Sequence, residues 1–297
     1  MKKKILIFSA YSKKNGIGHS IRSERLYKIL KKKYDCKLYI NKKDNFINKI
    51  IRDQKKRTII ICDFKKYKKN IVINNKMFFY ILFDQSTIKA QNLISINPLN
   101  LETKKIFNGP KWFIFPKNFS KRKMPKKFKK KFNIFISQGG TDANNNLRKI
   151  VNNLNVEDEK INKVFVKIPK LNYINFYHKK IIYIKKMNNL FKILDKIDVA
   201  ISGCGNFSYE INYFKIPTVY ISNEKDEIIR GKKYQESGLG KFFKINQVSK
   251  AINELNILMN NKNYYNRMIV KRSKIFKKDN TSNVYKLIRA IFNKNVF

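Results

Sequence analysis

Acidic residues are scarce in this chain: 20 Asp and Glu stand against 67 Lys and Arg, a formal charge of +47 over 297 residues. Such an imbalance invites a polyanionic partner, whether nucleic acid or an anionic lipid surface. Yet Lys, Asn, Ile, Phe and Tyr rise together along the whole length, as an AT-rich coding sequence imposes, and no nucleic-acid motif accompanies the lysines. Nucleic acid is therefore not expected as the physiological ligand, and attraction to nucleotide phosphates or to anionic lipid is kept. Cysteine is equally sparse. Cys36, Cys62 and Cys204 are an odd set without metal-ligand spacing, which argues against a disulfide framework or a paired-cysteine metal site. They read as buried, reduced thiols of a cytoplasmic protein. No apolar run approaches a membrane span; the most apolar window is Met77 to Phe83. The basic start Met1-Lys2-Lys3-Lys4 leads into a short run that breaks at Ser12-Lys13-Lys14, a first strand rather than a signal peptide. The expectation is a soluble protein, at most peripheral to a membrane, with the lysine-rich surface and Trp112 as features that would favour docking. The lack of a Gly-x-x-x-x-Gly-Lys-Ser/Thr run argues against a P-loop triphosphatase, and neither cofactor nor metal is expected.

What is present is an alternation of short apolar runs with helical patterns, at 43% apolar residues enough to fold. Strands are predicted at Ile5 to Ala10, Cys36 to Ile40, Thr58 to Asp63, Phe78 to Asp84 and Leu93 to Asn97. After a basic stretch around Lys121 to Lys131, which reads as a linker, they resume at Asn133 to Ser137, Val164 to Ile168, Ile181 to Ile184, Val199 to Ser202 and Thr218 to Ile221. Helices are predicted near Ile21 to Lys32, Asp44 to Gln54, Asn144 to Asn153, Asn189 to Ile197 and Phe207 to Phe214, with a helical tail from Gln247. The pattern predicts an α/β protein of two facing Rossmann-like domains, residues 1–122 and 123–280, with parallel sheets and a cleft between them. Residues 281–297 form a helix expected to pack back on the first domain.

In open parallel sheets, ligands sit at the carboxyl ends of strands, and there the unusual residues gather. Gly16-Ile17-Gly18-His19 follows the first strand, with Arg22 three residues on; His19 and His178 are the only histidines. Glycines let backbone approach a ligand closely, and an imidazole trades protons near neutral pH. Asp63 and Asp84 end two further strands, and Asn97 a third. In the second half, Gly139-Gly140-Thr141-Asp142 and Gly203-Cys204-Gly205-Asn206 each lead into a helix whose exposed N–H groups suit a diphosphate. Glu210 lies one turn into the latter helix, where a carboxylate can take both hydroxyls of a ribose. Each feature has a plain alternative, since aspartates cap helices and glycines make turns; their joint placement favours a composite site. His178 is given no role.

These residues resemble the UDP-sugar hydrolase family of pseudaminic acid biosynthesis (PseG) and the related spore-coat polysaccharide (SpsG) proteins, of the GT-B, MurG-like superfamily. Gly16, Gly18, His19 and Arg22 look like its Gly-x-Gly-His-x-x-Arg opening, Asp63 and Tyr67 like its Asp-His-Tyr segment, and Asp84 and Asn97 like its later strand ends. Gly139, Gly140 and Thr141 are similar to its Gly-Gly-Ser/Thr turn. Met187 and the run Ser202 to Glu210 are similar to its nucleotide-binding half. Cys204, Phe207, Gln85 and Asn223-Glu224-Lys225 depart from the pattern. The resemblance implies hydrolysis of a UDP-linked amino-deoxy sugar of the 2,4-diacetamido-trideoxyhexose type, with His19 catalytic. It places Gly16, Gly18, Arg22, Asp63, Tyr67, Asp84 and Asn97 on the sugar, and Gly139, Gly140, Thr141, Met187, Gly205, Asn206 and Glu210 on UDP. The alternative is a GT-B glycosyltransferase with a sugar or lipid-linked acceptor in place of water. A third reading, a non-catalytic polyanion binder, predicts affinity that falls steeply with salt and ignores UDP.

Overall fold

The computed structural model describes residues 3–11, 18–64, 78–84, 92–99, 101, 107–115, 126–139, 142, 145–168, 177–184, 190–222, 224–276 and 281–293. The chain divides into two compact units, Met1–Asn118 together with Lys278–Phe297, and Phe119–Lys277.

The first unit holds a five-stranded parallel sheet in the order β2-β1-β3-β4-β5, from Lys4–Ser9 (β1), Asp35–Ile40 (β2), Thr58–Asp63 (β3), Phe78–Phe83 (β4) and Leu93–Ile96 (β5). The three central strands are buried nearly throughout, which is why they read as unbroken apolar runs and not as alternating ones. The two-residue period still divides them. Ile5, Ile7, Ile59, Ile61, Phe79, Ile81 and Phe83 face Leu26 and Leu30 of helix α1 (Gly18–Leu30), while Leu6, Phe8, Ile60, Cys62, Tyr80 and Leu82 face Ile47 and Ile51 of α2 (Asp44–Arg52). The first of these cores is closed by residues far along the chain, for Val284, Ile288, Ile291 and Phe292 of α9 (Thr281–Asn293) belong to it. Their spacing is that of one helix face. Asn283 Nδ2 donates to the Lys111 carbonyl and Lys3 Nζ to that of Phe292, fixing the helix at both ends.

Trp112 is also part of that core, 9% exposed and 5.3 Å from the ring of Phe107. This corrects its expected role in membrane docking: an indole packed under α9 has no face to offer a bilayer. Cys36 is corrected too, since it is half-buried on the edge strand β2, whereas Cys62 and Cys204 are buried; all three are free. Burial pushes the Cys36 and Cys62 thiols up to about 12, away from reactivity. No helix among the described residues is long and apolar enough to cross a membrane.

The second unit holds a six-stranded parallel sheet in the order β11-β10-β9-β6-β7-β8. Its strands are Phe132–Ser137 (β6), Ile161–Lys167 (β7), Ile181–Ile184 (β8), Val199–Ser202 (β9), Thr218–Ile221 (β10) and Phe242–Phe243 (β11). Helices α3 (Asn146–Asn153), α7 (Val248–Asn260) and α8 (Lys262–Ile275) cover one face with Leu147, Ile150, Leu255, Leu258, Met268 and Ile269. Short α4 (Leu190–Leu194) and α5 (Asn206–Tyr213) precede and follow β9. Helix α6 (Lys225–Glu236) was not anticipated. Its buried residues are Gly231 and Tyr234, too few to give an apolar period. Gly231 is required because the Phe242 ring lies 2.1 Å from where its Cβ would be.

Candidate active site

At the carboxyl edge of the first sheet, Ser9, Asp63 and Phe83 are register partners on β1, β3 and β4, so residues ending these strands stand side by side. Asp63 is the last residue of β3. Asp84 follows β4 with φ of +58°, a left-handed conformation that an aspartate tolerates better than most residues. Helix α1 starts after β1, and its side chains at three- and four-residue spacing share a face. That face is polar where it meets the sheet: His19, Arg22 and Ser23 reach down to the strand ends. Arg22 Nε donates to Asp63 Oδ2 at 2.8 Å, and its Nη2 donates both to Asp63 Oδ1 at 2.5 Å and to Asp84 Oδ2 at 2.7 Å. Ser23 Oγ adds a bond to Asp63 Oδ2 at 3.1 Å, while Ser9 Oγ donates to the Asp63 carbonyl at 3.1 Å. Beneath lies the Phe83 ring, 4.7 Å from the guanidinium carbon.

The charges here are buried, Arg22 to 3% and Asp63 to 1% side-chain exposure. Burial alone would push the Asp63 carboxyl up. The Arg22 guanidinium, then the hydrogen bonds from Arg22 and His19, outweigh it and hold the group ionised, well below the usual carboxylate range. Burial works against the Arg22 charge as well, and the two carboxylates more than restore it.

That ionised carboxylate decides the state of His19. Its Nδ1 lies 2.7 Å from Asp63 Oδ1, and a carboxylate only accepts, so Nδ1 carries a proton and donates it. The 3.3 Å approach of Arg22 Nη2 to the same nitrogen is then between two donors and is no bond. In the neutral ring the lone pair is left on Nε2, the atom of a general base. His19 keeps 13% of its side chain exposed. One further donor, Arg22 Nη1, is buried with no acceptor among the described residues.

His19, Asp63 and Asp84 bring one ligand atom each within 4.8 Å of one another, a grouping that could hold a metal ion. The Arg22 guanidinium bonds both carboxylates and already supplies the cation at that point.

Of the other residues expected on this side, Gly18 opens α1. Asn97 sits in an isolated bridge with Asn108, its N–H and carbonyl bonded to Phe107 and Gly109. Gly16 and Tyr67 lie outside the described residues. Ser9 and Ser23 were missed; Ser23, four residues beyond His19, had helical spacing as its signal.

In the second unit, Gly139 follows β6 with φ of +81° and open space around the position of a Cβ. Its carbonyl accepts a 2.7 Å bond from Lys167 Nζ at the end of β7. Lys167 was not anticipated. Glu210 is 3% exposed on α5 and contributes a favourable charge to Lys167. The helix N-termini expected to be open to a diphosphate meet carboxylates of this chain instead. Asp142 accepts from the N–H groups of Asn146 and Leu147 on α3, at 2.9 and 3.1 Å. Glu227 of α6 accepts from Cys204 N–H at 3.1 Å and from Ser222 Oγ at 2.7 Å. A Cβ on Gly205 would stand 2.8 Å from Glu227 Oε1, and one on Gly203 3.2 Å from Oε2, so the two glycines leave room for this carboxylate. Gly205 caps α5 and Asn206 is its first residue, with Oδ1 buried and unbonded among the described residues. Gly140, Thr141 and Met187 lie outside the described residues. His178, given no role, pairs with Glu157 at 2.6 Å and draws that carboxyl below its ordinary range.

No protein-family model and no curated protein matches this sequence. Solved structures do. A putative UDP-N-acetylglucosamine 2-epimerase from Listeria monocytogenes superposes with a TM-score of 0.60 at 11% identity, covering 98% of this chain and 97% of its own. The S. aureus MnaA–UDP complex gives 0.62 at 12%, covering 99% and 98%. MurG of Acinetobacter baumannii gives 0.54 at 13%, covering 96% and 99%. At these identities the likeness is one of fold: α/β with two parallel sheets, the GT-B type.

Proposed function

We propose that this protein acts on a UDP-linked amino-deoxy sugar, releasing UDP and the free sugar. The observation that carries the reading is the 2.7 Å bond from His19 Nδ1 to an Asp63 held ionised by Arg22, which presents Nε2 as a base. In the reaction, Nε2 takes a proton from water as its oxygen bonds the anomeric carbon. The bond from that carbon to the diphosphate oxygen breaks, and UDP leaves with the electron pair; direct displacement inverts the anomeric centre. Asp63 orients the imidazole and stabilises the imidazolium that forms. For the nucleotide we assign Gly139, Gly205, Asn206 and Glu210, and, beyond the described residues, Gly140, Thr141 and Met187. The Glu227 carboxylate on the Gly203–Gly205 turn supports this: the turn accommodates an anion, here one of the chain's own. The complex of S. aureus MnaA with UDP supplies a nucleotide-bound relative in fold.

The test is UDP release from a UDP-2,4-diacetamido-trideoxyhexose in buffer without acceptor, for the native chain and His19→Ala. The variant is expected to lose about 10²–10⁴-fold in turnover while UDP affinity stays within about twofold. A parallel loss of UDP affinity would make His19 a binding or structural residue. A second reading, transfer of the sugar to an acceptor, is favoured by the likeness in fold to the spinosyn rhamnosyltransferase SpnG, with a TM-score of 0.64 at 8% identity. Tight UDP binding without release would select it.

A further inference from the structure

The sequence scatters lysines over the surface, and Lys167 is an exception. It ends β7, 9% exposed, at the carboxyl edge of the second sheet. A buried ammonium costs free energy unless its donors and its charge are satisfied. Among the described residues its Nζ has one acceptor, the Gly139 carbonyl on the left-handed turn after the neighbouring strand β6. An ammonium has three N–H donors, so two are left over. The Phe207 ring, on the first turn of α5, lies 5.3 Å from Nζ, and Glu210 on the same helix is the charged group it feels. Lys167 is thus held against the turn and the helix start to which we assign the nucleotide, with donors that no described residue uses and a desolvation cost that lowers its charge.

We infer that Lys167 binds the diphosphate of the nucleotide, its two spare N–H donors supplying the positive charge at that point. The inference rests on the UDP-sugar reading. A diphosphate would complete the hydrogen bonds of the buried ammonium, and charge-assisted bonds of this kind are the strong ones. Burial pulls the ammonium of the unliganded protein down to about 8, against the pull of Glu210, so a fraction of the chains carries a neutral amine at physiological pH. Bound diphosphate would favour the charged form, and binding would therefore take up a proton and weaken as pH rises past about 8.

The experiment is calorimetric titration of the native chain, Lys167→Met and Lys167→Arg with UDP and with uridine, between about pH 7 and 9.5, above the second phosphate ionisation near 6. Lys167→Met is expected to weaken UDP about 10–100-fold at pH 7 and leave uridine within about twofold, since charge-assisted bonds contribute about 1.5–3 kcal/mol. Lys167→Arg is expected to keep most of the UDP affinity and to flatten its decline with pH. Unchanged UDP affinity in Lys167→Met overturns the inference. So does an equal loss of UDP and uridine, which would make Lys167 a brace for the β6 turn. If the native chain binds neither UDP nor uridine, the nucleotide reading is what fails, and inorganic pyrophosphate then decides the lysine. A rise in melting temperature with pyrophosphate that Lys167→Met abolishes upholds it; no rise, or one shared by the variant, overturns it.

Discussion

Replacing Asp63 by Asn would test the reasoning about the first unit without reference to any substrate. The pair it breaks is not a surface ion pair, for which about 0–1 kcal/mol would be expected. Arg22 and Asp63 expose 3% and 1% of their side chains, so the figure for removing one partner of a buried pair applies, about 3–5 kcal/mol. Two features pull toward its lower end. Asp84 still accepts from Arg22 Nη2, and the asparagine amide oxygen keeps one of the positions that Asp63 filled. A loss near 3 kcal/mol in a unit of roughly 140 residues is a fall in melting temperature of about 10 °C. Scanning calorimetry at pH 7 reads it directly. The double variant Asp63→Asn, Arg22→Met is expected to recover part of the loss, because it removes the stranded charge. The pH dependence has a definite sign. The folded Asp63 carboxyl is held below its unfolded value of about 3.9, so its contribution is present above about pH 4 and is lost as pH falls toward the folded value. Asp63→Asn should lack that acid limb. A fall below about 3 °C, or a double variant that melts lower still, would refute the account of a buried, charge-bound centre.

Other outcomes follow from the second unit. Glu227→Ala should cost about 1–2 kcal/mol in urea unfolding, through the lost bonds to Cys204 and Ser222, yet tighten UDP about tenfold by vacating the turn; weaker UDP binding would make Glu227 a support for the site. Two left-handed glycines should differ sharply. A Cβ at Gly240, φ +143°, would lie 2.0 Å from the Thr218 carbonyl, so Gly240→Ala is expected to cost more than about 3 kcal/mol or to prevent folding. At Gly238, φ +69°, the same atom would meet the Lys271 side chain at 3.5 Å, and the cost should be nearer 1–2 kcal/mol; equal losses in denaturant unfolding would refute this use of backbone geometry.

The central strands were legible because parallel strands covered on both faces are continuous apolar runs, and every run read as a strand, edge strands included, is one. Helix α6 was not, since it buries little beyond a glycine and a tyrosine, and β11 is only two residues long. In the site, His19 and Arg22 were legible through their three-residue spacing beside the glycine motif. What the sequence withheld is partnership: Arg22 and Asp63 are 41 positions apart, and no local rule joins them. Lys167 was hidden by composition, one of 67 basic residues with nothing in its neighbours to mark it as inward-facing. Glu227 was hidden by a rule that works, because acidic residues in a first turn usually do no more than complement the helix dipole.

The position of α9 bears on how the protein is made. The sheet face with Ile5, Ile59 and Phe79 is closed by Val284, Ile288 and Phe292, which are made long after the strands they cover. At about 5–20 residues per second, synthesis from Phe79 to Val284 leaves that face wet for roughly 10–40 s. Through that interval the first unit lacks the helix that closes its core, whereas every element of the second unit precedes α9 in the chain.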